Sequence, residues 1–359
     1  MRGFWKLMTI VLNVVPNPAA RLMTIFRQEP SIETTFYTTT EGAVVPMRIH
    51  HPPGDDPAPA LIIYPGASPA AEEHEAVNVL ARALAYAGIR TFFPRIPALK
   101  EVLVREESVE HMINVYLAVE ARGDVDPARI IGSGVSFGGS LFIKACLDDR
   151  LRGKPAAVFS YGSFFDFREG LNFSMTGICS DGEKEYHIEP HDWGRIAFFH
   201  NYLEYLDEPC NPENVRQYLV DKVANDGQNG DFLYESFPEE DRAIIDKIIA
   251  DQSQEVVSMA DNILKKIQPM AERLSPSHFL DEIDFSIYLM HGANDNMIPF
   301  TETVRFAKAL TESGREVESF VSYLYSHSET EGHGRGLFGF LSELWHMGRF
   351  LGSVLKPVL

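Results

Sequence analysis

Ser136 stands in the stretch Ile130-Ile131-Gly132-Ser133-Gly134-Val135-Ser136-Phe137-Gly138-Gly139-Ser140: an apolar run, a Gly-x-Ser-x-Gly turn, and then a helical pattern through Leu147. A serine hydroxyl serves as a nucleophile when the backbone lifts it clear of its surroundings and a base takes its proton. A sharp strand-to-helix reversal does the lifting. It forces the serine into a strained conformation, and Gly134 and Gly138 flank it because a Cβ at either place would strike the neighbouring strand or helix. The new helix also points its first N–H groups at the same spot. The plain alternative is a tight strand–helix turn with no chemistry.

The base must in turn be oriented by an acid. In sheets of alternating strands and helices, functional groups gather in loops after the carboxyl ends of strands. After the apolar run ending at Met290 comes His291-Gly292-Ala293-Asn294-Asp295-Asn296-Met297-Ile298-Pro299; after the run Val317 to Tyr325 come Ser326-His327-Ser328. Ser136, Asp295 and His327 therefore follow strand patterns in the order Ser, Asp, His. Asp166, after the run ending at Tyr161, is the alternative acid, and Asp295 could instead cap the helix beginning near Thr301. His333, in a glycine-flanked loop, is the alternative base. Glu329 and Glu331 beside these histidines would raise the basicity of either imidazole.

The elements that must position these groups are legible in outline. Thr34 to Thr40 and Ala43 to His50 read as a hairpin around Glu41-Gly42. Ala60 to Tyr64, Ile89 to Phe93 and Pro155 to Tyr161 are short continuous apolar runs, the signature of parallel strands buried on both faces. Between them lie a helix from Glu72 to Ala87, closed by Gly88, and one capped by Ser108 with Val109, Met112, Ile113, Tyr116 and Leu117 on one face. From Phe164 to Ile283 buried-strand signals stop and helical patterns take over, among them Asp241 to Ala250 and Val256 to Gln268. Strands resume at Phe285 to Met290, and a last helix from Leu337 to Val354 carries Leu337, Phe340, Leu341, Leu344 and Trp345 on one stripe. The alternation predicts a doubly wound, mostly parallel α/β sheet. It gives a core over residues 1–163 and 284–359, with a helical cap inserted over 164–283.

Composition narrows the function. The 359 residues are 45% hydrophobic and 23% charged, as in ordinary globular proteins, and the formal charge of −19 argues against nucleic acid or an anionic membrane as partner. Cys146, Cys179 and Cys210 show no metal spacing, as expected of a reduced, cytoplasmic chain. His187, Glu189 and His191 fail as metal ligands because Pro190 breaks the helix that ligation four residues apart needs. Gly66-Ala67-Ser68-Pro69 lacks the third glycine and the lysine of a phosphate loop. Met1 to Val15 is a charged start followed by a short apolar run; it reads as an amphipathic helix lying on the body or in weak contact with a membrane surface, with a cleaved signal as the alternative. Phe164, Phe165, Phe167, Trp193, Phe198, Phe199, Tyr202 and Tyr205 would line an acyl pocket, or simply form the core of the insertion.

Three pieces carry a family resemblance: Gly134-Val135-Ser136-Phe137-Gly138, His291-Gly292 with Asp295 and Pro299, and His327 after the final strand. In these the chain resembles the α/β-hydrolases of the serine esterase type, near the dienelactone-hydrolase-like and prolyl-oligopeptidase-like branches. The resemblance covers roughly residues 40–163 and 284–359. It implies the α/β-hydrolase fold, with Ser136 as nucleophile, His327 as base and then acid, and Asp295 orienting the imidazole. It also implies an oxyanion hole from the N–H groups of Phe137 and Ala67, although Pro65-Gly66-Ala67 differs from the His-Gly-Gly-Gly loop of lipases. No metal or other cofactor is implied. The expected activity is cleavage of a small to medium apolar carboxylic ester. Peptidase, thioesterase, carbon–carbon hydrolase and acyltransferase activities use the same triad, and a binding protein without turnover is the rival from another class.

Overall fold

The computed structural model of the protein describes residues 10, 29–54, 57–224, 227–250, 253–323 and 336–359. The expected hairpin is present with shifted ends. Strand β1 (Ser31–Thr38) pairs antiparallel with β2 (Val44–His51) around Gly42, whose φ of +86° suits the turn. Next come β3 (Ala58–Tyr64), helix α1 (Glu75–Tyr86), β4 (Arg90–Pro94), α2 (Glu107–Glu120), β5 (Val125–Val135), α3 (Phe137–Ala145) and β6 (Ala157–Tyr161). Gly88 ends the first helix as predicted, with φ +85° and Ile89 donating back to Leu84. Ser108 does not cap α2. That helix starts a residue earlier, and the serine is fully buried inside its first turn.

Between β6 and β9 (Ile287–Gly292) lie α4 (Phe167–Thr176), a small hairpin of β7 (Ile178–Ser180) and β8 (Glu185–His187), α5 (Asp192–Tyr202), α6 (Pro212–Ala224), α7 (Glu239–Ile249), α8 (Gln254–Lys266) and α9 (Gln268–Leu274). The hairpin gave no buried-strand signal because most of its residues face solvent. The chain closes with α10 (Thr301–Glu312), β10 (Val317–Ser322) and α11 (Gly336–Leu355).

Among the described residues eight strands form one sheet, ordered β1-β2-β4-β3-β5-β6-β9-β10. It is parallel from β4 to β10; only β1 and β2 run against their neighbours. Side chains alternate across a strand, so each buried strand feeds two cores. Ala60, Ile62 and Tyr64 of β3 face the larger cluster, shared with α2, α3 and the helices of the 164–283 segment. Leu61 and Ile63 face the other, with Leu84 of α1 and Leu355 and Val358 near the carboxyl terminus. Ile10 is buried in that second cluster, so this residue of the amino-terminal segment packs on the body. The remainder of the Met1–Val15 reading lies outside the described residues. Among the described side chains of α11, Phe350, Val354 and Leu355 are buried, whereas Trp345, expected on the inner stripe, is 72% exposed. No helix among the described residues is long and apolar enough to cross a membrane.

The register fixes where function can sit. Tyr64 pairs with Gly134, Val135 with Tyr161, Tyr161 with Met290, and Ser322 with Gly292. The carboxyl ends of five parallel strands therefore coincide, and the residues that leave them emerge along one edge of the sheet.

Candidate active site

Ser136 leaves β5 with φ +53° and ψ −131° and is the N-cap of α3. A serine gains nothing locally from this backbone, which is sterically disfavoured for any residue with a Cβ. The surrounding bonds impose it: Ser136 N–H donates to Tyr161 O at 2.8 Å, and Ser136 O accepts from Gly139 N–H at 3.0 Å and from the Ser163 hydroxyl at 2.7 Å. The two flanking glycines have the steric reason anticipated. A Cβ on Gly134 would lie 2.5 Å from backbone atoms of Gly138, and one on Gly138 would lie 2.2 Å from Pro65 O. The loop after β3 is pressed equally close, since a Cβ on Gly66 would come within 2.9 Å of Ser136 Cβ. Ala67 follows directly. Neither its N–H nor that of Phe137 donates to another described residue.

Asp295 reaches the same place from β9. Its Oδ1 accepts from Met297 N–H at 2.8 Å and Ile298 N–H at 3.0 Å, which folds the loop back on itself. Its Oδ2 faces Gly162, the first residue after β6. The helix at Thr301 has Phe300 as its N-cap, so Asp295 does not serve there. Asp166, the alternative acid, is spent elsewhere: its Oδ1 caps α4 through Arg168 and Glu169 N–H, and its Oδ2 accepts from the Ser277 hydroxyl. His327 and His333, with Glu329 and Glu331, lie outside the described residues.

Ser136, Ala67, Phe137 and Asp295 border one cavity of about 220 Å³. Phe164, Phe167, Trp193, Phe198 and Tyr202 line it as anticipated, together with Val102, Leu171 and Met297. Three of the aromatics named from sequence do not. Phe165 stacks on Phe306, Phe199 is buried in the core, and Tyr205 is partly exposed. Of the other histidines considered, His187 bonds Glu185 and His191 caps α5 at Trp193 N–H.

Two residues support this site in roles that the sequence did not give them. Buried His291 donates from Nε2 to Ile298 O at 2.9 Å, since a carbonyl can only accept, and its Nδ1 meets Thr303 Oγ1 at 2.8 Å. It thus locks the Asp295 loop to α10. Glu302, also buried, accepts from Phe165 N–H at 2.9 Å and Asp166 N–H at 2.7 Å and pairs with Arg305 at 3.2 Å. It ties the loop carrying Phe164 to the same helix. Glu302 has no motif, and His291 was named only as part of the His291-Gly292 piece; their bonds to the Phe165 and Asp166 amides and to Ile298 O are made by the fold.

Burial pushes the Glu302 carboxyl up to about 7, against the opposing pull of the two amides and Arg305. A carboxyl raised from 4.5 contributes stability that is present below about pH 4.5 and lost as pH rises to about 7. Glu302→Gln carries no charge at any pH. Relative to wild type, its melting temperature is expected to fall about 2–4 °C less between pH 5 and pH 7, read by circular dichroism. Parallel curves for the two proteins would show that Glu302 does not titrate in this window.

No protein-family model and no curated protein matches the chain in sequence. Solved structures do match in three dimensions. Pyrococcus horikoshii acylaminoacyl peptidase superposes with a TM-score of 0.53 at 13% identity, over 94% of this chain and 43% of that one. Porphyromonas gingivalis dipeptidyl peptidase 4 gives 0.51 at 14% identity, over 96% of this chain and 38% of that one. The chain thus spans less than half the length of either peptidase. DcsB, solved in complex with its substrate analogue, gives 0.51 at 14% identity, over 92% of this chain and all of that one. The strand order, the elbow at Ser136 and these superpositions agree: the chain has the α/β-hydrolase fold.

Proposed function

We propose that the chain is a serine hydrolase that cleaves carboxylic esters of small to medium apolar acyl groups through an acyl-enzyme. The observation that carries this reading is Ser136, held at φ +53° and lining an apolar cavity together with Ala67 and Phe137, whose amides have no acceptor among the described residues. In the proposed cycle His327 takes the Ser136 proton as Oγ attacks the ester carbonyl. The N–H groups of Ala67 and Phe137 hold the oxyanion, and the imidazolium, oriented by Asp295, passes its proton to the departing alcohol. Water, deprotonated by the same histidine, then releases the acid. No cofactor enters the scheme.

The cavity supports the choice of acyl group. Among its described lining residues Asp295 is the one charged side chain, and the walls are mainly aromatic and aliphatic. A cavity of about 150 Å³ accommodates benzene, so one of about 220 Å³ suits a phenyl ring or a short alkyl chain. With p-nitrophenyl esters, kcat/KM is expected to peak at about four to eight acyl carbons and to fall at least about tenfold by twelve. Phe198→Ala, which removes a cavity wall, should move the optimum towards longer chains. A flat chain-length profile in both proteins would remove this cavity as the acyl site.

A peptidase is the second reading, because two of the superposed neighbours are peptidases by name. Matched ester and anilide substrates with one acyl group distinguish the two, and the ester is expected to be the faster. Labelling by a fluorophosphonate, which modifies activated serines and ignores ordinary ones, tests the class as a whole. A folded wild type that is not labelled would be a binding protein instead.

A further inference from the structure

Besides Ser136, two described non-glycine residues have positive φ: Ala71 at +39° and Val102 at +59°. For a β-branched residue this is a true outlier, tolerated only where the surroundings over-determine it. Val102 is 2% exposed, lines the cavity beside Ser136, and packs in one apolar cluster with Ala67 and Ala197.

What holds it is the end of α5. Asn201, 5% exposed, donates from Nδ2 to Val102 O at 3.1 Å, while its Oδ1 accepts from Val104 N–H at 3.3 Å and from the Arg105 guanidinium. Its neighbour His200 bonds Glu101 O through Nε2 at 2.9 Å, and Arg105 returns a bond to Asn201 O at 2.8 Å. The strap Glu101–Arg105 is therefore stitched to the helical segment. Its other side holds the loop after β3: Leu99 O accepts from both Val102 N–H at 3.1 Å and Ser68 N–H at 2.9 Å. One continuous path runs from Asn201 through Val102 and Leu99 to the peptide that follows Ala67.

We propose that Asn201 is a positioning residue for ester hydrolysis: by pinning Val102 in the left-handed conformation it sets the Ala67 N–H where the oxyanion forms. This rests on the serine-hydrolase reading above. A valine freed of its carbonyl partner relaxes to negative φ, and the Leu99 turn and Ala67 move with it. The consequence falls chiefly on kcat, because the oxyanion exists only in the transition state, while Phe164, Phe167, Leu171 and Met297, cavity walls outside the strap, stay in place.

Asn201→Asp tests the inference most narrowly. It keeps the acceptor facing Val104 and Arg105 and replaces the donor to Val102 O by a carboxylate oxygen that can only accept. The expected result is a fall in kcat of about 10- to 100-fold, towards the loss of one oxyanion donor, with KM within about threefold and a melting temperature lowered by a few degrees, about what one lost buried hydrogen bond costs. Glycine adopts φ +59° without a Cβ penalty, so adding Val102→Gly should restore kcat to within about threefold of wild type. Where Asn201→Asp alone does not fold, the folded double variant gives the same reading. A kcat still depressed there overturns the proposal. Unchanged kcat in Asn201→Asp, or a loss that Val102→Gly does not repair, likewise removes the role of Asn201. A wild type that a fluorophosphonate fails to label at Ser136 removes the hydrolase reading itself, and this proposal with it.

Discussion

Ser136→Ala is expected to abolish fluorophosphonate labelling and to lower ester hydrolysis by about five to six orders of magnitude, because removing the nucleophile alone costs nearly as much as removing a whole triad. The fold should be indifferent. Alanine has the same Cβ as serine and meets the same backbone at φ +53°, and that conformation is imposed by bonds to the Ser136 N–H and C=O, which the substitution leaves intact. A melting temperature within about 2 °C of wild type is the corresponding expectation. The nearby serines cannot easily substitute. Ser163 donates its hydroxyl to Ser136 O, and fully buried Ser140 donates to Phe164 O at 2.5 Å. Labelling that survives in Ser136→Ala would therefore place the nucleophile elsewhere in the chain and undo the assignment of the site.

How much of this was legible beforehand depends on the range of the interaction. Ala60 to Tyr64 and Ile89 to Phe93 announce buried strands because each has neighbours on both faces of the sheet, and that leaves an unbroken apolar run. The Gly134 and Gly138 positions were readable for a similar reason, since their contacts reach only across one turn and to the adjoining loop. Where a residue's role depends on a partner far along the chain, the local pattern says nothing or misleads. Ser108 looks like a helix cap, yet it is buried one residue inside its helix. Trp345 fits an apolar stripe, yet α11 buries Phe350 and Val354 instead. Val102 is an unremarkable valine until Asn201, on a helix in the next segment, is brought against it. Glu302 likewise resembles any acidic residue in the first turn of a helix, and only the fold brings the amides of Phe165 and Asp166 to it.

The contest between Asp295 and Asp166 for the acid is decided by a substitution that changes protons and leaves shape alone. Asp295→Asn keeps Oδ1, so the Met297 and Ile298 N–H groups retain their acceptor and the loop its form. What changes is the oxygen that faces Gly162, which becomes an NH2 group able only to donate. An imidazole meeting a donor there must present a lone pair to it, and its proton then sits on the nitrogen facing the serine, where a base has none. The expected loss is about four orders of magnitude in kcat, with KM and melting temperature close to wild type. Asp166→Asn is the matched control. Asparagine caps a helix as well as aspartate does, so α4 should keep its start and kcat should stay within about twofold. The reverse outcome, a large loss from Asp166→Asn and none from Asp295→Asn, would move the acid to the strand before. A carboxylate already accepting from two backbone amides and a serine hydroxyl at the head of α4 is poorly placed for that task. Asp295 borders the cavity with one oxygen anchored by two amides and the other beside Gly162, 3.5 Å from His291 Nε2 and with no backbone amide among the described residues to hold it.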